Sequence, residues 1–266
     1  MSNSPTSDFL EKLSSLKNDF KVYVPSLKKE VVARPITLKQ QKDIISTTVN
    51  GVLGALQFTE TINNVIIDNV DGDKFFSFDR VPIIVGLRAH SLGDKVRAEN
   101  EQIVSLSSSL KQAKTPVKFK LTDKVSIDSI KIDLRIPTLV EENQIIKKCI
   151  LEIDKLKSES LSEAMGLIYI FELIKHIDSV TVDEQTLIFN DLKMIDRVKI
   201  VEQLPLELYE KITIFLQECS EFDKSMLSVE DTAITLDATF FDATSNPKVD
   251  LVEPGFLIAS FSARIF

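Results

Sequence analysis

Apolar residues recur at helical spacing from Thr37 onwards, with polar residues between them. The stripe formed by Leu38, Ile45, Val49, Val52 and Leu56 predicts a helix with one buried face. Thr37 and Gln40 have the spacing of a capping box, in which two side chains bond the unpaired N–H groups at the start of a helix. The first helix is therefore expected to begin at Leu38.

Two further helices are predicted in this half of the chain, at 59–70 and 79–91. Asp79 can cap the second of them, because a short acidic side chain can accept from the first free N–H groups. Pro82 falls in the first turn, where the lack of an N–H group is tolerated. Residues 95–116 are charged and then rich in serine, and they are predicted to form a loop.

Helix signals continue in the second half. The capping-box spacing recurs at Thr138–Glu141 and Ser160–Glu163. Residues Ala164–Phe171 are apolar almost all round, so the helix that contains them is predicted to be central and buried. Two more helices are predicted at about 191–203 and 205–219.

Apolar and polar residues alternate elsewhere, which is the period of a half-buried strand. One or two strands are predicted within 21–34, and a short hairpin or a paired insertion at 180–189. A small antiparallel sheet is predicted from the alternating segments 117–121, 125–127 and 130–136. The fold class is therefore α+β, a predominantly helical body with a small antiparallel sheet.

Four segments are predicted along the chain. They are an N-terminal amphipathic segment (1–20), a mixed α/β part with the sheet (21–136), a helical part (137–220) and a C-terminal extension (221–266). The last of these lacks the periodicity of a core element, so it is expected to dock on another protein. Its removal is expected to leave a folded body that captures its partner less well.

Composition and charge narrow the range of possible functions. The 266 residues carry 32 basic and 40 acidic side chains, a net charge of −8, which argues against a protein that neutralises nucleic-acid phosphates. The uncharged run Ala164–Phe171 is much shorter than the ~18 residues needed to cross a bilayer. No cationic segment followed by an apolar one opens the chain, so a location in the cytoplasm where it is made is expected.

Few residues have the types and spacings of a reactive site. His90 and His176 are the only imidazoles, and both fall near predicted helix ends, where a cation is stabilised by the last carbonyl groups. Cys149 and Cys219 are expected to be buried free thiols. No catalytic residue, metal ligand or cofactor is predicted. One enzymatic alternative stays open, an acid/base pair formed by His90 and Asp94.

Two groups of residues are candidate contacts with a protein partner. The first is a basic segment that includes Lys114, Lys118 and Lys120. The pattern favours the solvated face and protected edge of a strand for these lysines, and contact with an acidic protein partner is the alternative. The second consists of apolar side chains of the C-terminal extension, namely Phe240, Phe241, Phe256, Leu257 and Phe261.

Several segments, in this order, resemble the family of T4-type bacteriophage baseplate hub assembly proteins. They are Arg34–Ile45, Val85–Val96, Ile130–Leu139, Phe171–Asp178 and Leu204–Leu216. Many members of that family carry cysteine pairs after the second segment. In this chain Ala98–Ser109 contains neither Cys nor His, so no metal site follows from the resemblance.

The resemblance implies a non-catalytic protein of the host cytoplasm that binds other phage baseplate hub or tail proteins. The leading hypothesis is an assembly factor that holds a hub, spike or tail component until it is incorporated. The alternative is a permanent structural subunit of the baseplate.

Overall fold

The computed structural model describes residues 19–47, 51–72, 74–116, 118–155, 161–229 and 232–241. Its helices and small antiparallel sheets confirm the α+β class. The helices are α1 Leu38–Ser46, α2 Gly51–Asn69, α3 Arg80–Leu92, α4 Ser107–Gln112, α5 Leu139–Lys155, α6 Leu161–His176, α7 Met194–Glu202 and α8 Leu206–Met226. The strands are β1 Phe20–Val24, β2 Lys29–Ala33, β3 Lys95–Arg97, β4 Ile103–Ser105, β5 Thr122–Ile127, β6 Ile130–Arg135, β7 Ile177–Val182, β8 Gln185–Ile188, β9 Ser228–Val229 and β10 Thr232–Ala233.

The predicted small sheet is present as a four-stranded antiparallel sheet in the order β5-β6-β7-β8. Its inner face buries Ile132 and Leu134, while Lys131, which precedes Ile132, is exposed. The first strand begins at Thr122, so the strand predicted at 117–121 is wrong for residues 118–121. Val117 lies outside the described residues. The hairpin predicted at 180–189 supplies the outer strand β8.

Buried apolar side chains form two clusters. The first lies among the β1–β2 hairpin, α2, α3, the β3–β4 hairpin and residues 226–241. The second lies between the four-stranded sheet and helices α5, α6, α7 and α8. The sheet thus packs with the helical second half, whereas the sequence had grouped it with residues 21–136. Its core face is covered by α5 and α6, which lie between β6 and β7 in the chain, and by α7 and α8, which follow β8.

Helix α1 confirms the predicted cap and corrects the predicted stripe. Thr37 and Gln40 form the capping box, with Gln40 Oε1 accepting from the Thr37 N–H at 2.9 Å. Ile44 is buried, but Leu38 is 81% exposed and Ile45 also faces solvent. The stripe assumed one continuous helix. The structure has separate helices α1 and α2, so residues on both sides of the break need not share a face.

The loop predicted at 95–116 is wrong. This segment forms the β3–β4 hairpin and helix α4, and it buries Val96, Ala98, Val104, Leu106 and Ala113 in the first cluster. Three of the four serines that suggested a loop lie at the start of α4, where Ser107 and Ser108 face solvent. Local composition therefore concealed five core positions.

Asp79 lies at the start of α3 but does not cap that helix. Its carboxylate accepts instead from the backbone N–H groups of Ser26, at 2.8 Å, and Phe76, at 2.9 Å. Burial raises the pKa of Asp79, although these bonds act in the opposite direction. Pro82 occupies the first turn of α3, as predicted.

Helix α6 corrects the prediction of a central buried helix. Ala164, Phe171 and Ile174 are buried, but Met165 and Tyr169 on the opposite side are 53% and 45% exposed. The helix lies at the surface with apolar side chains on both sides. Its all-round apolar pattern therefore leaves an apolar face towards solvent.

Residues 221–241 correct the prediction of a separate tail. Helix α8 passes through residue 220 and ends at Met226, which is buried. Val229, Ile234, Phe240 and Phe241 follow in the same core cluster. The periodicity is lost here because these side chains enter the core from short strands and turns. Residues 1–18, which are most of the predicted N-terminal amphipathic segment, and residues 242–266 lie outside the described residues.

Candidate functional site

A network of ion pairs and hydrogen bonds lies where α2, α3, α5 and α6 meet. Glu142 of α5 is at its centre and is almost fully buried. Its Oε1 accepts from Lys175 Nζ at 3.0 Å, and its Oε2 accepts from Arg80 and from Asn63 Nδ2, the latter at 2.9 Å. Asn143 extends the network by accepting from Asn63 Nδ2 at 2.9 Å. Four helices are therefore joined through one carboxylate.

The acidic and basic groups of this network stabilise one another's charged forms. Burial opposes ionisation of Glu142, but Arg80, Lys175 and the hydrogen bonds outweigh it and hold the pKa at about 2. Burial also favours a neutral Lys175, yet the carboxylates of Glu142 and Glu172 raise its pKa. Lys175 Nζ lies 2.6 Å from Glu172 Oε2. Each of these groups is thus charged and paired at neutral pH.

The network has the geometry of a structural joint. Its acid accepts three hydrogen bonds and has little contact with solvent, so a general base at this position has no access to substrate. Among the described residues, no group of three or more His, Cys, Asp or Glu side chains is placed to hold a metal ion.

The two histidines occupy the predicted helix ends. His90 lies in the last turn of α3 and stacks on Phe20 with 3.7 Å between ring centroids, while His176 ends α6 and has Nδ1 3.3 Å from the Arg135 carbonyl oxygen. Asp94, the proposed catalytic partner of His90, accepts from Ser105 Oγ at 2.8 Å. His90 and Asp94 line one cleft of about 330 Å³, but within the described ranges no hydrogen bond joins them.

The candidate lysines are exposed, and acidic residues of the same chain lie beside them. Lys114 Nζ lies 2.8 Å from Glu30 Oε1, and Lys120 Nζ lies 3.2 Å from Asp123 Oδ1. Lys118 lines an open cleft of about 360 Å³ whose opposite wall is formed by α8. The lysines therefore do not form one uncompensated basic surface.

The candidate phenylalanines are divided by the structure. Phe240 and Phe241 are buried, and Arg88 Nε donates to the Phe240 carbonyl oxygen at 3.0 Å. Gln41 Nε2 donates to the Phe241 carbonyl oxygen at 2.6 Å. These two side chains have no accessible surface to offer a partner. Phe256, Leu257 and Phe261 lie outside the described residues.

An apolar surface that the sequence did not predict lies across α6 and α8. The rings of Tyr169 and Tyr209 have centroids 5.1 Å apart and join the two helices. Met165 lies one turn from Tyr169, and Leu206, which is 73% exposed, lies one turn from Tyr209. We call these four residues the α6–α8 surface. The only sequence signal for this surface is the all-round apolar run of α6. That run indicates burial but does not show whether the same chain or another protein covers the helix.

Cys149 is a buried free thiol, as predicted, and burial raises its pKa to about 11. A thiol with that pKa is protonated at neutral pH and is a poor nucleophile. The side chain of Cys219 lies outside the described residues.

Paired ionisable groups inside and apolar side chains outside are typical of a protein that acts through contact with other proteins. The comparisons agree with that class. A family model described as T4 bacteriophage base plate protein matches residues 17–227. The chain therefore belongs to the T4 bacteriophage base plate protein family.

The comparison with curated proteins and the comparison with solved structures each found no match. None of the helices in the described ranges combines the length and apolar character needed to cross a membrane.

Proposed function

We propose that this chain is a baseplate assembly factor that holds another hub or tail protein in the host cytoplasm by non-covalent contact. The α6–α8 surface carries the proposal. In this surface Met165 is 53% exposed, Tyr169 is 45% exposed and Leu206 is 73% exposed. Neighbouring exposed apolar side chains mark protein interaction sites.

The composition of this surface suits binding. Tyrosine and methionine are enriched in interfaces, because tyrosine offers a large rigid area with a polar end and methionine adapts to an irregular partner. The contact between Tyr169 and Tyr209 holds both rings in place before a partner arrives. Less conformational freedom is then lost on binding.

The charge of the chain suits a factor that exists free before capture. Its net charge of −8 opposes association between copies and keeps a protein with exposed apolar groups in solution. The chemistry is proposed to be non-catalytic, since the buried acid Glu142 is held by Arg80 and Lys175.

Quantitative mass spectrometry of purified mature particles and of infected-cell extracts tests the role. An assembly factor is abundant in the extracts and absent or far below stoichiometric amounts in the particles. Recovery in fixed stoichiometry with other baseplate proteins would establish the alternative, a permanent structural subunit.

A surface variant tests the contact itself. Tyr169→Ser combined with Leu206→Ser is expected to lower the yield of infectious particles while leaving thermal stability close to wild type. Leu151→Ser is the matched control, because Leu151 is 59% exposed on the neighbouring helix α5. Equal yields from the double variant and the control would exclude the α6–α8 surface as the contact.

A further inference from the structure

The four-stranded sheet has two outer strands that differ in how they are protected. At the β5 edge, Lys211 Nζ of α8 donates to the Ser126 carbonyl oxygen at 2.9 Å, and Lys124 adds a charge. At the opposite edge, β8 has the uncharged sequence Gln185–Ile188. Among the described residues no strand pairs with its outer side.

The register shows which backbone groups of β8 point outwards. A two-residue turn, Asp183–Glu184, joins β7 to β8, so Val182 and Gln185 form the first hydrogen-bonded pair. Orientation then alternates along the strand. Thr186 and Ile188 therefore turn their backbone N–H groups away from β7, and Thr186 also turns its carbonyl oxygen outwards.

The same alternation of inward and outward backbone groups is seen at the opposite edge strand, β5. Residues Asp128 and Ser129 form the two-residue turn between β5 and β6, so Ser126 is predicted to face outwards. The Ser126 carbonyl oxygen is the one that accepts from Lys211 Nζ. At β8, Thr181 Oγ1 and Thr186 Oγ1 lie 2.8 Å apart, which fits the closer side-chain approach of a pair without backbone bonds.

An uncharged edge with outward donors and an acceptor is a template for another strand. Natural proteins block such edges with lysine, proline, bulges or a covering element. Strand β8 contains neither lysine nor proline, and Ile188 is 51% exposed. We propose that the outer edge of β8 binds an extended basic segment of another baseplate protein as a fifth strand. This inference rests on the proposed function and assigns it a second contact.

Charge selects this occupant over a second copy of the chain. From Asp183 to Leu192 the sequence has three acidic and no basic side chains. In an antiparallel pairing of two β8 strands, Asp183 and Glu184 of one copy would approach the helical turn Phe189–Asp191 of the other, which carries Asp191 and no basic side chain, so the two charged ends repel. A segment with Lys or Arg at its ends is attracted to the same positions.

Proline substitution at Ile188 tests the backbone contact. The φ of Ile188 is −83°, close to the value a proline ring imposes, and Leu187 is in the extended conformation that a residue before proline requires. Ile188→Pro therefore removes the outward N–H and keeps the fold. Ile188→Val is the matched control, because it keeps the N–H and a β-branched apolar side chain.

The probe is the full chain with a photoreactive phenylalanine analogue at position 186, irradiated in infected cells, with the cross-linked peptide identified by mass spectrometry. We expect a peptide of another baseplate protein that contains Lys or Arg. Its yield should fall about tenfold with Ile188→Pro, the effect of losing roughly one hydrogen bond, and stay at the wild-type level with Ile188→Val.

A cross-link to β8 of a second copy, an acidic or helical peptide, no cross-link, or equal yields from both variants would each overturn the inference. Two variants of opposite charge at position 186 give a second measurement. Thr186→Lys should lower particle yield, and Thr186→Glu should not. A normal particle yield from both Ile188→Pro and Thr186→Lys would exclude the β8 contact. It would not contradict the assembly role, which is excluded only if the protein is recovered in fixed stoichiometry from mature particles.

Discussion

Lys175 Nζ lies 3.0 Å from Glu142 Oε1, and both side chains are almost enclosed by protein. The pair joins α5 to α6, and Arg80 and Asn63 bring α3 and α2 to the same carboxylate. These helices come from the regions of both core clusters. The network therefore links elements of the two cores through one ionised group.

Glu142→Gln is expected to lower the free energy of unfolding by about 3–5 kcal/mol, since it leaves two cations near a neutral amide in a buried site. Urea denaturation followed by circular dichroism measures the change. Glu152→Gln is the control, because Glu152 pairs with Lys155 at an exposed position and should change stability by less than about 1 kcal/mol. Equal small effects would show that the network does not support the fold.

Asp223 is expected to make the protein less stable as pH rises from about 4 to about 7. Burial raises its pKa from 3.8 to about 7, with Arg80 opposing and Glu142 adding to the shift. Between these values the folded state holds a proton that the unfolded state releases, so unfolding is favoured as pH rises. Asp223→Asn removes this loss.

The free energy of unfolding of Asp223→Asn should increase relative to that of the wild type between pH 4 and pH 8. The expected increase is on the order of 1–2 kcal/mol after allowing for solvent screening. Asp154→Asn, at an exposed position of α5, should show no such trend. Urea titrations at both pH values compare the three proteins. A constant difference between Asp223→Asn and wild type would contradict the assignment.

Glu142 has the opposite pH dependence. Its pKa is lowered from 4.5 to about 2, so its stabilising charge is fully present above about pH 4.5 and is lost as pH falls towards 2. The midpoint of urea unfolding should therefore decrease over this range in the wild type. In Glu142→Gln the decrease should be smaller, and an unchanged profile would exclude Glu142 as its source.

Truncation tests whether residues 221–241 belong to the core. A chain that ends at residue 220 loses Met226, Val229, Ile234, Phe240 and Phe241 from the first core cluster. Since removal of one buried Phe costs about 3–5 kcal/mol, loss of all five should abolish cooperative thermal unfolding. A chain that ends at residue 241 keeps them and should unfold cooperatively. Cooperative unfolding of the shorter chain would restore the separate-tail prediction.

Helix α6 has one face that supports the fold and one that does not. Ile174→Asp places a charge in the second core cluster and is expected to cost several kcal/mol. Met165→Asp, on the exposed face, should change stability by less than about 0.5 kcal/mol. Thermal melts of both variants decide the assignment. A large loss from Met165→Asp would mean that this face is covered in solution.

The capping boxes show what could be predicted from local sequence. Thr37 with Gln40, and Thr138 with Glu141, form the expected reciprocal bonds. Each needs only residues three apart and a helix start, so no distant contact is required. Ser160 lies outside the described residues. The strands β5 and β6 were predictable for the same reason, because alternation records which residues share a face.

The candidate surfaces were less predictable, since exposure depends on what packs opposite. The pattern of Phe240 and Phe241 suggested partner contacts, yet both fill a core built by α1, α2 and α3. Tyr169 lies in a run that suggests burial, yet 45% of its area is exposed. Apolar character is a property of a residue, but burial is a property of its neighbours.

The sequence by itself determined the fold class, most helices and strands, two caps and the resemblance to a baseplate family, because propensity, period and capping act over a few residues. Tertiary structure alone decided that Glu142 meets Arg80 and Lys175, that the α6–α8 surface faces solvent, and that the β8 edge is open. Those features join residues far apart in the chain, and only the packed arrangement brings such residues into contact or leaves them without one.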